Sequence, residues 1–344
     1  MKEFQNIIQN IYEHIGNEYS KELFTNRLLY SLTNDYKFLY NIICMTDEGK
    51  LFYNKIRSKD KKMIIFGAGI WGKELIETYR DVSFQCFVDN KSNNDIMLSG
   101  IPVLSFQKYI NHYKDEYIII SSRLHHKEMY RQLRENNIDE NLIINMGKMI
   151  DHMSKRQYFD LKELKTDLSP EEVFVDAGSF DGKTAGYFME WCNRQYEKIW
   201  LFEPDKKNQE KCIMTMQAEG CKNYKVIKKG LWDREEVLRF QCSFNGSSKI
   251  EETGEFEIEV VSLDEIIKEK VTFIKMDIEG SEYQALSGAG RIIKQHKPKL
   301  AISVYHKSED IWKLPELILE LNDEYKIFFG HYSVAAAETV VYAI

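Results

Sequence analysis

VFVDAGSFDGKT, Val173 to Thr184, is the stretch on which the reading of this chain turns. A short apolar run ends in an acid, Asp176. Gly178 follows, and Gly182 opens a helical pattern. This is a strand that meets a helix through a glycine turn. In an open α/β sheet, ligands gather at the carboxyl ends of the strands, where the strand order reverses. Glycine lets the backbone come close to a ligand there. An acid ending the next strand suits a ribose, because one carboxylate accepts from two hydroxyls. Glu203, at the end of IWLFEP, occupies that place. An acid just ahead of the turn is unwelcome to a phosphate, which wants amides and a helix N-terminus. Asp176 therefore points to a cationic ligand with a ribose and no phosphate. S-adenosylmethionine, with its ammonium, sulfonium and ribose, has that chemistry. Asp176 is expected near the ammonium and Glu203 at the ribose. Gly178, Ser179, Phe180, Asp181, Gly182 and Thr184 form the loop around the donor.

The α/β rhythm runs on from Glu171 to the end of the chain. Strand-like runs alternate with helical stretches at about 183–195, 206–219, 281–295 and 309–322. VLRFQCSF and FEIEVVSL alternate apolar and polar residues around Gly246-Ser247-Ser248, which reads as a β-hairpin insertion beside a parallel sheet. FIKMDIEGSEYQALSGA, Phe273 to Ala289, is the second informative stretch. Strand alternation would put Lys275, Asp277 and Glu279 on one face. Three charges on an apolar strand are costly in a core, so a site explains them. His306 follows the strand LAISVY at the same edge of the sheet. Glu279 and His306 are the candidate bases, Asp277 lies near the methionine end of the donor, and Lys275 is an orienting charge. Glu282 opens a helix, where an acid favours the dipole and serves as a cap.

VFVDAGSFDG, IWLFEP, VSLDEI, IKMDIEGSEYQALSGA and KPKLAISVYH, in this order, resemble the FkbM-type S-adenosylmethionine-dependent methyltransferases, over about half of the chain. The resemblance implies a class I methyltransferase sheet whose last strand, here ETVVYAI, is antiparallel. It also implies that Asp176, Gly178 and Glu203 bind the donor, and that the acceptor is a hydroxyl of a natural product or surface sugar. The chain departs from the family's pattern at Ser179 and Phe180, where a small residue and an Asn are common.

A second cradle lies earlier, in MIIFGAGIWGKEL. Gly67, Gly69 and Gly72 with Asp89 after the next strand fit the dinucleotide pattern, and no acid precedes the glycines. This is a candidate nucleotide or nucleotide-sugar site, or else tight strand-to-helix packing. The fold expected is thus α/β, with two Rossmann-like doubly wound sheets in tandem. Residues 1–58 form a helical N-terminal segment that could dimerise, 59–148 a Rossmann-like domain, 149–170 a linker and 171–344 the methyltransferase domain.

The 344 residues are 43% hydrophobic and 29% charged, with net charge −7, which argues against a nucleic-acid binder. No apolar run is long enough for a membrane span. Six scattered cysteines form no C-x-x-C pair, so free thiols in the cytoplasm are expected and no metal site is evident. A small-molecule or carbohydrate acceptor is the expected partner. Two other function classes are a nucleotide-sugar oxidoreductase using the first cradle and a non-catalytic scaffold. The first lacks a Tyr-x-x-x-Lys pattern, since Arg134 stands four residues after Tyr130. The charges around Asp277 argue against the second.

Overall fold

The computed structural model describes residues 2–58, 60–92, 96–112, 115–166, 168–242, 248–250 and 256–344. The chain forms two compact units. One comprises Asn34–Ser154 and Tyr332–Ala337, and the other Met1–Thr33, Lys155–His331 and Glu338–Ile344.

The smaller unit opens with helices Tyr36–Ile43 and Asp47–Ile56. Asp35 and Thr46 cap them, accepting from the amides of Lys37 and Gly49. Its strands are β1 (Met63–Phe66), β2 (Phe84–Asp89), β3 (Ile96–Leu98), β4 (Ile101–Ser105), β5 (Tyr117–Ile120) and β6 (Ile143–Ile144). They lie in the order β3-β4-β2-β1-β5-β6, parallel except for the β3–β4 pair. Ile64, Phe66, Val88, Ile118 and Ile120 pack together in one buried cluster. Such unbroken apolar strands need cover on both faces, which a parallel sheet receives from its crossover helices.

The larger unit holds β7 (Val173–Ala177), β8 (Lys198–Phe202), β9 (Tyr224–Ile227), β10 (Gly230–Leu231), β11 (Glu236–Cys242), β12 (Ser248–Ile250), β13 (Phe256–Val261), β14 (Phe273–Met276), β15 (Lys299–Ser303), β16 (Ile327–His331) and β17 (Thr339–Ala343). Seven of them form a sheet in the order β16-β17-β15-β14-β7-β8-β9. β17 runs antiparallel to both of its neighbours, as the resemblance implied for the last strand. From β7 the chain builds outward through β8 and β9, then returns to place β14 and β15 on the other side. The order therefore reverses between β7 and β14, next to the Gly178 turn. The inserted strands are more than a hairpin: they make a separate sheet, β10-β13-β11-β12. Gly246 and Ser247 of the expected turn fall outside the described residues.

Two expected boundaries move. The N-terminal segment 1–58 divides between the units. Helices Lys2–His14 and Glu18–Thr33 belong to the larger one, where Phe24 stacks on Phe329 at 5.2 Å and Ser20 accepts from the Phe329 amide. Their apolar side, including Ile11 and Leu23, is buried within the chain. The expected linker 149–170 is also structured. Helix Met146–Arg156 occupies its start, and Tyr158 and Phe159 are buried. Polar composition hid this, because only a few apolar residues here reach the core. Phe159 meets Phe174, Phe188, Trp191 and Phe273 in an aromatic cluster, in which Phe174 and Phe188 stack at 4.2 Å. Among the described residues, no helix is long and apolar enough to cross a membrane.

Phe159→Ala distinguishes a core residue from a linker residue. The expected loss in denaturant unfolding is about 3–5 kcal/mol, as for other buried aromatics. A change within about 0.5 kcal/mol, typical of surface positions, would mean that Phe159 is not part of the core.

Candidate functional site

The site is built from the carboxyl ends of β14, β7, β8 and β9, neighbours in the sheet. Lys275 on β14 and Asp176 on β7 are register partners and are both buried. The Lys275 Nζ donates to Asp176 Oδ1 at 2.9 Å, to the Ala177 carbonyl at 3.0 Å and to the Gly178 carbonyl at 2.8 Å. An ammonium has three protons, and all three are placed. Burial works against the charge, but Asp176 and Asp277 outweigh it and raise the Lys275 pKa, so the ammonium stays charged. The chain thereby bends sharply at Gly178, whose φ is +73°. A Cβ there would stand 1.9 Å from the Asp277 carbonyl oxygen, so only glycine allows β7 and β14 to end this close together.

Glu203 follows β8. Its Oε2 accepts from the Phe180 amide at 2.8 Å and its Oε1 from the Asp205 amide at 3.0 Å. Burial pushes its pKa up, and these two amides oppose that shift. The carboxylate is thus fixed in orientation, with lone pairs left for a ligand. Phe180 takes a left-handed φ of +49°, rare for a bulky residue, and its ring is half-exposed. A cavity runs along this edge. Asp277, Glu279 and Ser281 line it after β14, Gly178 and Phe180 after β7, and Glu203 and Asp205 after β8. Gly230 and Leu231 of β10, with Ile258 and Val260 of β13, add apolar lining. Ile258 and Val260 are two residues apart and so share one face of the inserted sheet.

Beyond β14 the charges form a tight group. Tyr158 donates to Asp277 Oδ2 at 2.8 Å, and Tyr305 donates to Oδ1 at 3.3 Å. His306 Nε2 lies 3.3 Å from Asp277 Oδ1 and 3.7 Å from Glu279 Oε2, and its Nδ1 lies 3.0 Å from Glu282 Oε1. These contacts lie off the line of the ring N–H bonds, so they pair charges without forming aligned hydrogen bonds. Burial lowers the His306 pKa, but Glu282, Asp277 and Glu279 overcome it and push it up to about 9. The ring is a cation at neutral pH.

Several expectations change accordingly. Asp176 does not face the cavity, because its carboxylate is fully buried against Lys275. Lys275 shapes the turn and cannot orient an acceptor. Lys275, Asp277 and Glu279 do not share a face, since β14 ends at Met276 and Glu279 has a left-handed φ of +56°. His306 already holds a proton and is no resting base. Of the loop, Gly178 and Phe180 reach the cavity. Ser179 is buried, with its Oγ bonded to the Asp176 carbonyl, and Asp181 pairs with Lys183. Gly182 packs against Cys212, and Thr184 lies in helix Lys183–Trp191, off the cavity. Tyr158, Tyr305 and the inserted-sheet residues were not anticipated. Glu282, expected as a cap, is buried and accepts from the Ile278 amide at 2.8 Å.

In the smaller unit the first cradle is assembled after β1. Asp89 Oδ2 accepts from the Ala68 amide at 3.0 Å and Oδ1 from the Lys91 amide at 2.8 Å. A Cβ on Gly72 would stand 2.4 Å from the Gly67 carbonyl oxygen, and one on Gly67 2.7 Å from Ser121 Oγ. Packing of the turn thus accounts for Gly67, Gly72 and Asp89. Gly69, with open space where its Cβ would stand, is left unexplained by packing.

A glycine turn at the switch point, a fixed acid after the next strand and an antiparallel last strand define a methyltransferase-type fold. Residues 176–327 match the family model of the methyltransferase FkbM domain, and residues 59–144 match that of a C2185-like N-terminal domain. The likeness to an FkbM methyltransferase domain thus covers residues 176–327, under half of the chain. No curated protein matches the chain. The crystal structure of methyltransferase FkbM from Methylobacillus flagellatus KT is 21% identical with a TM-score of 0.51, covering 87% of this chain and 94% of that one. An rRNA methylase from Streptococcus thermophilus is 15% identical, with a TM-score of 0.37, over 56% of this chain and 93% of that one. A SAM-dependent methyltransferase from Aquifex aeolicus is 14% identical, with a TM-score of 0.34, over 58% and 98%.

Lys275→Met leaves Asp176 buried without its counter-charge. The expected cost in denaturant unfolding is about 3–5 kcal/mol. Adding Asp176→Asn should return part of that loss, because the two positions are coupled. Strict additivity of the two changes would show that the pair does not act as a unit.

Proposed function

We propose that the protein is an O-methyltransferase acting on a hydroxyl of a small molecule or sugar, in surface-glycan or natural-product biosynthesis. The observation that carries this reading is Glu279, a carboxylate on the cavity wall beside Asp277. The groups along the sheet edge fit a nucleoside joined through sulfur to an amino acid. Asp277 and Gly178 suit its charged end, Glu203 its ribose, and the inserted sheet its base. Three strand spacings, about 14–15 Å, separate the ends of β14 and β9.

When bound, S-adenosylmethionine supplies a methyl group activated by the sulfonium charge. Glu203 and the Gly178 turn fix the ligand. Asp277, held by two tyrosine hydroxyls, offers a rigid acceptor to a ligand N–H. Glu279 takes the proton of the acceptor hydroxyl as its oxygen gains the methyl. Alignment of this kind is worth about 7–11 kcal/mol, and a placed base about 10²–10⁴-fold. Among the described residues, none that lines the cavity is cationic, which favours a neutral polyhydroxyl acceptor over a phosphorylated one. A cytoplasmic location completes the reading and is supported by the free cysteines.

Purified protein with donor labelled in the methyl group, offered hexoses and nucleotide sugars, should yield an acid-stable methyl ether. Glu279→Gln should lower kcat about 10²–10⁴-fold and leave the dissociation constant for S-adenosylhomocysteine within about twofold. Label on nitrogen or carbon, or unchanged turnover in the variant, would contradict the proposal.

A further inference from the structure

Two side chains beside Asp277, those of Glu282 and His306, remain unexplained by donor binding. Asp277, Glu282 and His306 each offer one ligand atom, and these atoms all lie within 4.8 Å of one another. They come from the end of β14, from helix Glu282–Ser287 and from the segment after β15. The Glu282 and His306 side chains are 1% and 6% exposed. Glu282 Oε2 makes no hydrogen bond, and neither His306 nitrogen makes an aligned one. Buried polar atoms left this way require an explanation, and an ion is one of the few available. Glu279 adds a third carboxylate, with its Oε2 3.7 Å from the ring. The positive groups facing the cluster are the ring itself and Lys275, and the latter is already fully engaged. Lys307 donates to the Gly280 carbonyl, and Asp310 adds a further acid beside the group.

We infer that Asp277, Glu282 and His306 bind a hard divalent cation of the Mg²⁺ or Mn²⁺ class. The spacing suits one. Ligand atoms about 2.1–2.3 Å from an ion stand about 3.0–3.3 Å apart when adjacent and about 4.2–4.6 Å apart when opposed. The 3.3 Å between Asp277 Oδ1 and His306 Nε2 is an adjacent-pair distance, and one ligand atom from each of the three residues lies within 4.8 Å of the other two. Two carboxylates and one imidazole favour Mn²⁺ or Mg²⁺ over the thiolate-seeking ions. An ion there would take the place of the ring proton as counter-charge to the acids. It would also stand beside Asp277 and Glu279 at the cavity, where it could hold a hydroxyl oxygen of the acceptor and lower its pKa. This last role rests on the proposed O-methyl transfer. The binding site itself does not.

The test is Mn²⁺ titration of the full chain, stripped of metal, followed by electron paramagnetic resonance without donor. One tight ion per chain is expected. Asp277→Asn and Glu282→Gln, which keep size and shape, should each weaken it at least tenfold, and the distant Glu324→Gln should not. His306→Gln gives an independent third variant. The inference is overturned if no Mn²⁺ binds, or if the ion that binds is indifferent to all three substitutions. S-adenosylhomocysteine binding by the same wild-type sample tests the donor site separately, so loss of one result leaves the other readable.

Discussion

One buried ammonium organises the site. Lys275 places its three protons on Asp176 and on the carbonyls of Ala177 and Gly178, and so ties β14 to β7 at the point where the sheet changes direction. An ion pair this deep is no cheap source of stability, since desolvating both charges offsets most of their attraction. Its effect is geometric. The turn carbonyls face inward to Lys275, and the turn presents Gly178 and Phe180 to the cavity. A nonpolar pair of equal volume could hold the strands together, but it could not orient two carbonyls.

The rest of the edge follows from that turn. The Phe180 amide reaches Glu203 because the turn ends in a left-handed residue, and Glu203 in turn is aimed along the cavity. On the other side, the Asp277 backbone fills the place that a Cβ on Gly178 would need. Asp277 then meets Tyr158, Tyr305 and His306, and two segments distant in sequence converge on one carboxylate. Acids after β14 and β8 and apolar residues of the inserted sheet line the same cavity.

Much of this was legible in the sequence, and the failures have a common cause. The Gly178 turn, Glu203 and the strand FIKM are local patterns, readable from spacing alone. So was the antiparallel last strand, once the resemblance was recognised. Asp176 was misread because its partner, Lys275, stands 99 residues away, and no local signal says which acid a lysine will neutralise. Tyr158 lay in a polar stretch taken for a linker, 119 residues from Asp277. His306 looked like a base because an isolated histidine titrates near neutrality. Three carboxylates within 3.7 Å change that, and only the fold assembles them. The first 58 residues read as one helical segment because helix periodicity does not reveal which sheet a helix will cover.

The central claim is that the edge between β14 and β9 binds S-adenosylmethionine through Glu203. Calorimetric titration with S-adenosylhomocysteine tests it directly. One site per chain is expected, and Glu203→Ala should weaken it about 10–100-fold, the worth of hydrogen bonds to a charged group. Absence of binding, or equal affinity in the variant, would contradict the account.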